Sequence, residues 1–251
     1  MWDRIVEDAP SFFTYYNAIF ILQAMGRTLG LTIVGCMSGF IFGFIIAALR
    51  STTARSLLPL RAIALVYVEI FRRIPFLVIL FLVMFGVQAI SRAVPLFAIA
   101  VISICLLSTA FMSEIIRAGM DSVPKTQREA AEAMNFGFMR TLLLVILPQA
   151  WKVILPPGFA YMVMFIKDTA LASQMGVMEL TFAGKNYVGR GFSPALVYTT
   201  ILVGYFVMSY PLSRLGAYLE NRLATSRSRE SIQRVWTGPG PVQREPVGEQ
   251  G

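Results

Sequence analysis

QAMGRTLGLTIVGCMSGFIFGFIIAAL, residues 23–49, is a long stretch of mainly apolar and small residues. A helix needs about 20 predominantly apolar residues to cross about 30 Å of hydrocarbon. Four further stretches have this character, and we predict membrane spans over residues 23–49, 63–88, 94–116, 154–176 and 195–215. The sequence therefore predicts an all-α integral membrane protein with about five transmembrane helices.

The composition of the chain agrees with this fold class. Hydrophobic residues make up 56% of the 251 residues and charged residues only 14%, whereas a soluble domain carries about 25% charged residues. The excess apolar surface needs lipid as its solvent. The net charge of +8 does not indicate nucleic-acid binding, because the basic residues lie between apolar stretches and after the last one.

The sequence contains no pattern that predicts catalysis or a resident cofactor. It has no histidine, which removes the commonest general base and the commonest metal ligand. It also lacks the glycine-rich phosphate loop of ATPases and the motifs of metalloproteases and serine hydrolases. We therefore expect a chain that is not itself an enzyme and holds neither metal nor cofactor.

Lys and Arg are distributed unevenly among the segments that join the predicted spans. Many follow the first, third and fifth spans, namely Arg50, Arg55, Arg61, Arg117, Lys125, Arg128, Arg140, Lys152, Arg214, Arg222, Arg227, Arg229, Arg234 and Arg244. Few lie on the alternate side, namely Arg4, Arg92, Lys185 and Arg190. Because basic loops stay in the cytoplasm, we expect the N-terminus outside and the C-terminus in the cytoplasm.

This orientation divides the chain into three parts. Residues 1–22 are expected to form an extracytoplasmic segment, and residues 23–222 the transmembrane domain. Residues 223–251 are rich in Arg, Ser, Gly, Pro and Glu without periodicity, which predicts a disordered cytoplasmic tail.

Within the first span, Gly35, Gly39 and Gly43 share one helix face and predict close packing against another helix.

One predicted cytoplasmic segment, residues 121–149, is too long for a simple turn, and it begins DSVPKTQREAAEAMNFG. Residues 129–134 are strong helix formers. Thr126 and Glu129 have the spacing of a capping box, and both Asn135 and Gly137 suit a left-handed helix stop. We therefore predict a short, capped helix outside the membrane, between the third and fourth spans.

This segment resembles the signature of type I binding-protein-dependent ABC importer permeases. In that signature Glu-Ala-Ala is followed by three residues of any type and a Gly. Nine more residues then separate the Gly from Ile-x-Leu-Pro. The matching positions here are Glu129, Ala130, Ala131, Asn135, Val145, Ile146, Leu147 and Pro148. The sequence departs from the family at Asn135, where the family has Gly. After Gly, Asn is the residue best able to adopt a positive φ angle.

The resemblance implies a coupling helix that docks on an ATP-binding subunit. The residues to which it assigns this contact are Glu129, Ala130, Ala131, Asn135, Gly137, Leu147 and Pro148. YVEIFRRIP, residues 67–75, and KDTAL, residues 167–171, are similar to segments of polar amino acid permeases within the same family. The family usually has Gly and Thr at the positions of Arg73 and Ile74. In all, the resemblance covers residues 25–222.

The resemblance also implies partners and a location in the bacterial inner membrane. It implies two ATP-binding subunits that hold ATP and magnesium, a second permease subunit, identical or paralogous, and a periplasmic solute-binding protein. The expected solute is a polar or charged amino acid, with another small polar solute as the alternative. A secondary carrier is a further alternative, but such folds usually carry internal repeats, and we find no convincing duplication here.

Two charged residues, Lys167 and Asp168, interrupt the apolar fourth span. A charge at the bilayer centre costs at least about 2.5–3.5 kcal/mol, so such residues usually face a cavity or a partner. One interpretation places them on the solute pathway, and the other makes them an ion pair that holds helices together. We take Lys167, Asp168, Thr169, Tyr161 and Ile74 as candidates for the substrate pathway.

Overall fold

The computed structural model describes residues 2–52 and 54–236, with side chains for residues 4–52 and 54–223. Within this part of the chain every regular element is a helix. The helices are α1 (Trp2–Phe12), α2 (Tyr15–Ser51), α3 (Leu58–Arg73), α4 (Phe76–Ile90), α5 (Leu96–Asp121), α6 (Lys125–Ala133), α7 (Phe138–Met175), α8 (Leu180–Gly189) and α9 (Pro194–Trp236). A 3₁₀ turn over Arg55–Leu57 precedes α3.

Four of these helices are long and apolar enough to cross a membrane, namely α2, α5, α7 and the Pro194–Leu223 part of α9. The bent pair formed by Arg55–Arg73 and α4 brings the number to five if it counts as one span. The predicted all-α membrane fold with about five spans is therefore confirmed. The predicted coupling helix is α6, which lies between α5 and α7.

The second span is not the single continuous helix that we predicted over residues 63–88. It breaks at Ile74 and Pro75, and the two halves are bent by 116°. Ile74 is extended, with φ −92° and ψ 134°, because the ring of Pro75 disfavours the helical conformation in the residue before it. Pro75 also lacks the N–H that would continue the hydrogen-bond ladder.

The other predicted spans are shorter than the helices in the structure. The fourth span begins at Phe138 rather than at residue 154, and passes through a π-helical turn over Thr141–Ile146 and through Pro156 and Pro157. The last helix continues to Trp236 and so replaces the first part of the predicted disordered tail. Residues 224–236 contain neither Gly nor Pro, so nothing local stops the helix. Residues 237–251 lie outside the described part.

The predicted glycine face of α2 is confirmed as a close-packing surface. A Cβ added to Gly39 would lie 2.8 Å from the Cβ of Ser108 and 2.9 Å from its carbonyl carbon, and one added to Gly43 would lie 2.8 Å from the Ser113 nitrogen. Both serines belong to α5. The absence of a side chain therefore lets the backbones of the first and third spans approach each other.

The buried side chains form a layered core between these helices. One cluster joins α2, α4, α5 and α7 and includes Leu31, Leu80, Ile104 and Phe165. At the α6 end of the bundle, Ile116 and Met120 of α5 pack against Leu142 and Ile146 of α7. At the opposite end, α1 and α8 pack against α9 around Phe12 and Tyr187. Ile166 of α7 also belongs to this last cluster, so the core contacts α7 at both ends of the bundle.

Candidate functional site: the coupling segment and the α7 pathway residues

Helix α6 projects most of its side chains away from the rest of the chain. Glu129 and Ala130 are exposed, whereas Ala131 on the next position is buried. The buried side fixes α6 against the chain, and the exposed side remains available to a partner. Gly137 and Pro148 are also exposed and Leu147 is half-buried. The predicted coupling residues therefore differ in their exposure to solvent.

The turn after α6 depends on Asn135, which has a φ of 58°. It is the one non-glycine residue with a positive φ in the described part of the chain. Its N–H donates to the Glu132 carbonyl at 2.8 Å, and the next N–H, from Phe136, donates to Ala131 at 3.0 Å. The predicted left-handed stop is confirmed at Asn135, but Gly137 is extended, with φ −70° and ψ 164°.

The predicted capping box is wrong. Helix α6 starts at Lys125, its N-cap residue is Pro124, and no side chain caps its first turn. Thr126 therefore lies inside the helix, two residues after the N-cap position from which a hydroxyl can bond the exposed N–H groups. The predicted loop over residues 121–149 is also shorter than expected, because its second half, from Phe138, already belongs to α7.

The pathway candidates on α7 occupy three different environments. Lys167 is exposed, Asp168 is half-buried and Thr169 is fully buried. Among the described residues neither Lys167 nor Asp168 forms an ion pair, so this structure does not contain the structural pair of the second interpretation. The Thr169 hydroxyl donates to the Ile166 carbonyl at 2.7 Å within the same helix.

Tyr161 and Ile74 lie in the same apolar cluster, Tyr161 buried and Ile74 at its edge. The Tyr161 ring stacks on Phe111 and Phe165, with centroids 5.2 and 5.1 Å apart. Its hydroxyl lies near that of Ser108, and both are buried without a well-formed hydrogen bond. Buried hydroxyls are costly to leave unsatisfied, so these two can bond each other, bind a water molecule or take a polar group of a solute.

Sequence reasoning missed an ionic network at the α6 end of the bundle. The Glu114 carboxylate of α5 accepts from Arg50 of α2 at 2.9 Å, lies 3.6 Å from Arg72 of α3, and pairs with Arg117 one turn along its own helix. Residues 114 and 117 lie one helical turn apart at the end of the third predicted span, so only that local pair has a signal in the sequence. The pairing of residue 50 with residue 114 has no signal in the sequence.

A further carboxylate, that of the buried Glu179, was also missed. One oxygen accepts the Phe182 N–H at 2.8 Å and caps α8, and the other accepts the Tyr205 hydroxyl of α9 at 2.8 Å. Burial has the largest effect and raises the pKa of this carboxyl, and the two hydrogen bonds lower the pKa by a smaller amount. Glu179 thus ties α8 to the last span at the end opposite α6.

The sequence and the fold both match known membrane transport proteins. The family described as "binding-protein-dependent transport system inner membrane component" matches residues 39–225. The L-cystine transport system permease protein TcyB of Bacillus subtilis is 38% identical over 197 residues, covering 78% of this chain and 83% of that protein. The probable glutamine ABC transporter permease protein GlnM of Bacillus subtilis is 30% identical over 210 residues, covering 84% and 96%.

Solved structures agree with this result. The crystal structure of an amino acid ABC transporter with histidines has a chain that superposes with a TM-score of 0.74 at 28% identity, covering 82% of this chain and 95% of that one. An inward-facing structure of the MetNI methionine ABC transporter shares the fold, with a TM-score of 0.71 at 20% identity, covering 84% and 99%. The chain belongs to the binding-protein-dependent transport system inner membrane component family, the membrane-spanning permeases of ABC transporters.

Proposed function

We propose that this chain is one permease subunit of an ATP-driven importer that carries amino acids across the bacterial inner membrane. The relatives named for cystine and glutamine transport support an amino acid as solute. The single observation that carries the proposal is α6, an exposed helix between two spans that is followed by a turn at the left-handed Asn135.

The exposed surface of α6 and of the turn after it is the proposed contact with an ATP-binding subunit. Met134 and Met139 are 61% and 60% exposed, and methionine is a flexible apolar residue suited to binding surfaces. Glu129 offers a charge on the same segment. ATP and magnesium are bound by that subunit in this proposal, and ATP-driven movement reaches the permease through α6.

The remaining partners follow from the same assignment. A second permease subunit, identical or paralogous, completes the pathway, and a periplasmic solute-binding protein delivers the amino acid. The α6 end of the bundle then faces the cytoplasm and α1 the periplasm, as the distribution of Lys and Arg indicates. Within the chain, Tyr161, Asp168 and Ile74 are the groups proposed to line or flank the pathway.

The test is reconstitution of the complete complex in proteoliposomes with a panel of labelled amino acids. We expect uptake of one or a few amino acids that requires both ATP on the α6 side and binding protein on the other. Uptake of a different small polar solute under the same conditions would correct the solute class alone. Uptake driven by an ion gradient without ATP would refute the importer assignment and favour a secondary carrier.

A further inference from the structure

Glu114 is the meeting point of three helices at the α6 end of the bundle. Three guanidinium groups surround its carboxylate, from Arg50 at the end of α2, Arg72 in the last turn of α3, and Arg117 on α5. The Glu114 and Arg50 side chains are only 18% and 12% exposed. Partial burial weakens the screening by water, so each of these pairs interacts more strongly than it would at an open surface.

The network continues from Glu114 to the coupling helix. Arg117 also pairs with Asp121, the last residue of α5, at 2.6 Å. Asp121 lies 3.8 Å from Arg128 of α6, and Arg128 donates to the Met120 carbonyl at 3.0 Å. An unbroken series of charged contacts therefore joins α6 to α2 and α3 through the end of α5.

The other end of the network reaches the break in the second span. Arg72 lies two residues before Ile74, where α3 turns into α4 with a bend of 116°. Arg72 also lies over the ring of Phe111, 5.8 Å from its centroid, and Phe111 stacks on the pathway candidate Tyr161. A displacement of α6 can therefore pass through charged groups to the bend and to the aromatic side chains beside it.

We propose that Glu114 is a positioning residue that couples movement of α6 to the bent pair α3 and α4. Its carboxylate keeps three like charges together, and without it Arg50 and Arg72 repel one another across the gap between their helices. Loss of the negative charge thus removes the charged contact that joins α3 to α2 and α5, while α6 and its exposed surface stay in place. The Tyr67 hydroxyl of α3 still donates to the Leu106 carbonyl of α5 at 2.5 Å, so α3 remains attached to the bundle. The proposal rests on the proposed function, because it assumes that an ATP-binding subunit moves α6.

The experiment compares Glu114→Gln with a matched variant, Glu69→Gln, in the reconstituted complex. Glu69 also pairs with an arginine on α3, Arg73 at 2.7 Å, but both side chains are well exposed. The measured quantity is the number of ATP molecules hydrolysed per amino acid transported. We expect this ratio to rise for Glu114→Gln, because ATP-driven movement of α6 then reaches α3 and α4 less often, and to stay at the wild-type value for Glu69→Gln.

A second variant covers the case in which Glu114→Gln does not assemble. Asp121→Asn breaks the same network at a residue that is 50% exposed in its side chain, where no buried charge is left unpaired, and it should raise the ratio as well. A purely structural role would lower complex yield or thermal stability and leave the ratio unchanged. An unchanged ratio in the assembled variants overturns the proposal. Failure of the proposed function would appear separately, as absence of ATP-dependent uptake in the wild-type complex.

Discussion

A methyl group added at Gly39 should separate the first and third spans. The new Cβ would lie 2.8 Å from the Cβ of Ser108 and 2.9 Å from its carbonyl carbon. A side chain can rotate away, but a backbone carbon cannot, so α2 and α5 must move apart. Gly30 is the matched position, because it lies on the same helix and a Cβ there meets nothing within 4 Å.

Alanine should therefore destabilise the chain at position 39 and not at position 30. Overpacking of this kind costs about 1–3 kcal/mol, whereas alanine gains about 0.5–1 kcal/mol over glycine inside a helix. Gly39→Ala should lower the free energy of unfolding by about 1–2 kcal/mol after this gain. For a chain of this size, that lowers Tm by about 2–8 °C. Gly30→Ala should leave Tm unchanged or raise it slightly.

The assay is thermal unfolding of the purified chain in detergent, with the yield of the assembled complex measured in parallel. Gly43→Ala gives an independent repeat, since its Cβ would meet the Ser113 backbone nitrogen at 2.8 Å. Equal Tm values for the alanine variants at positions 30, 39 and 43 would refute the reasoning. The close approach would then not be a property of the folded chain in solution.

Four further predictions concern the coupling segment, the pathway and pH. Glu129→Lys should leave the subunit inserted but reduce uptake and stimulated ATP hydrolysis, because it reverses an exposed charge on α6, while Glu7→Lys on α1 should change neither. At Asn135, Gly should support uptake and Val should impair it, since a β-branched residue is strained at φ 58°; equal uptake by both would contradict the assigned turn. Asp168→Asn should lower solute affinity about tenfold to a hundredfold if the carboxylate binds the solute amino group, and normal uptake would remove it from the pathway. Burial raises the pKa of Glu179, so the folded state binds this proton more tightly than the unfolded chain does. The contribution of Glu179 to stability is therefore fully present below the unfolded pKa and is lost as pH rises through the raised folded pKa. Glu179→Gln should flatten this part of the Tm profile against pH, and an unaltered slope would count against the assignment.

The elements that could be predicted are those with strong local causes. The apolar stretches fix the spans because only helices satisfy the backbone in lipid, and Asn135 marks a left-handed turn because few other residues tolerate one. Pro75 carried an equally local signal, the restriction of the preceding residue, but the continuous apolarity of residues 74–90 concealed the break. Local reasoning also failed at Thr126, because the helix begins at Lys125, two residues earlier than a capping Thr126 requires.

The ionic network could not have been predicted in the same way. Arg50 and Glu114 are separated by 64 residues, and their contact depends on how two spans pack at the glycine face of α2. The same holds for Glu179 and Tyr205, which meet only after α8 has folded back against α9. Such pairs follow from tertiary packing, and neither propensity nor periodicity carries information about it.

The bend at Ile74 also changes the hydrogen bonding of the main chain. The Ile74 N–H still donates to the Ile70 carbonyl at 3.2 Å, but Pro75 has no N–H and α4 runs along a new axis. No further turn of α3 follows to supply donors to the carbonyls of residues 71–73. Carbonyl oxygens at such a break need water, a side chain or a polar ligand as their partner. This polar surface belongs to the main chain, so an apolar side chain at Ile74 does not remove it.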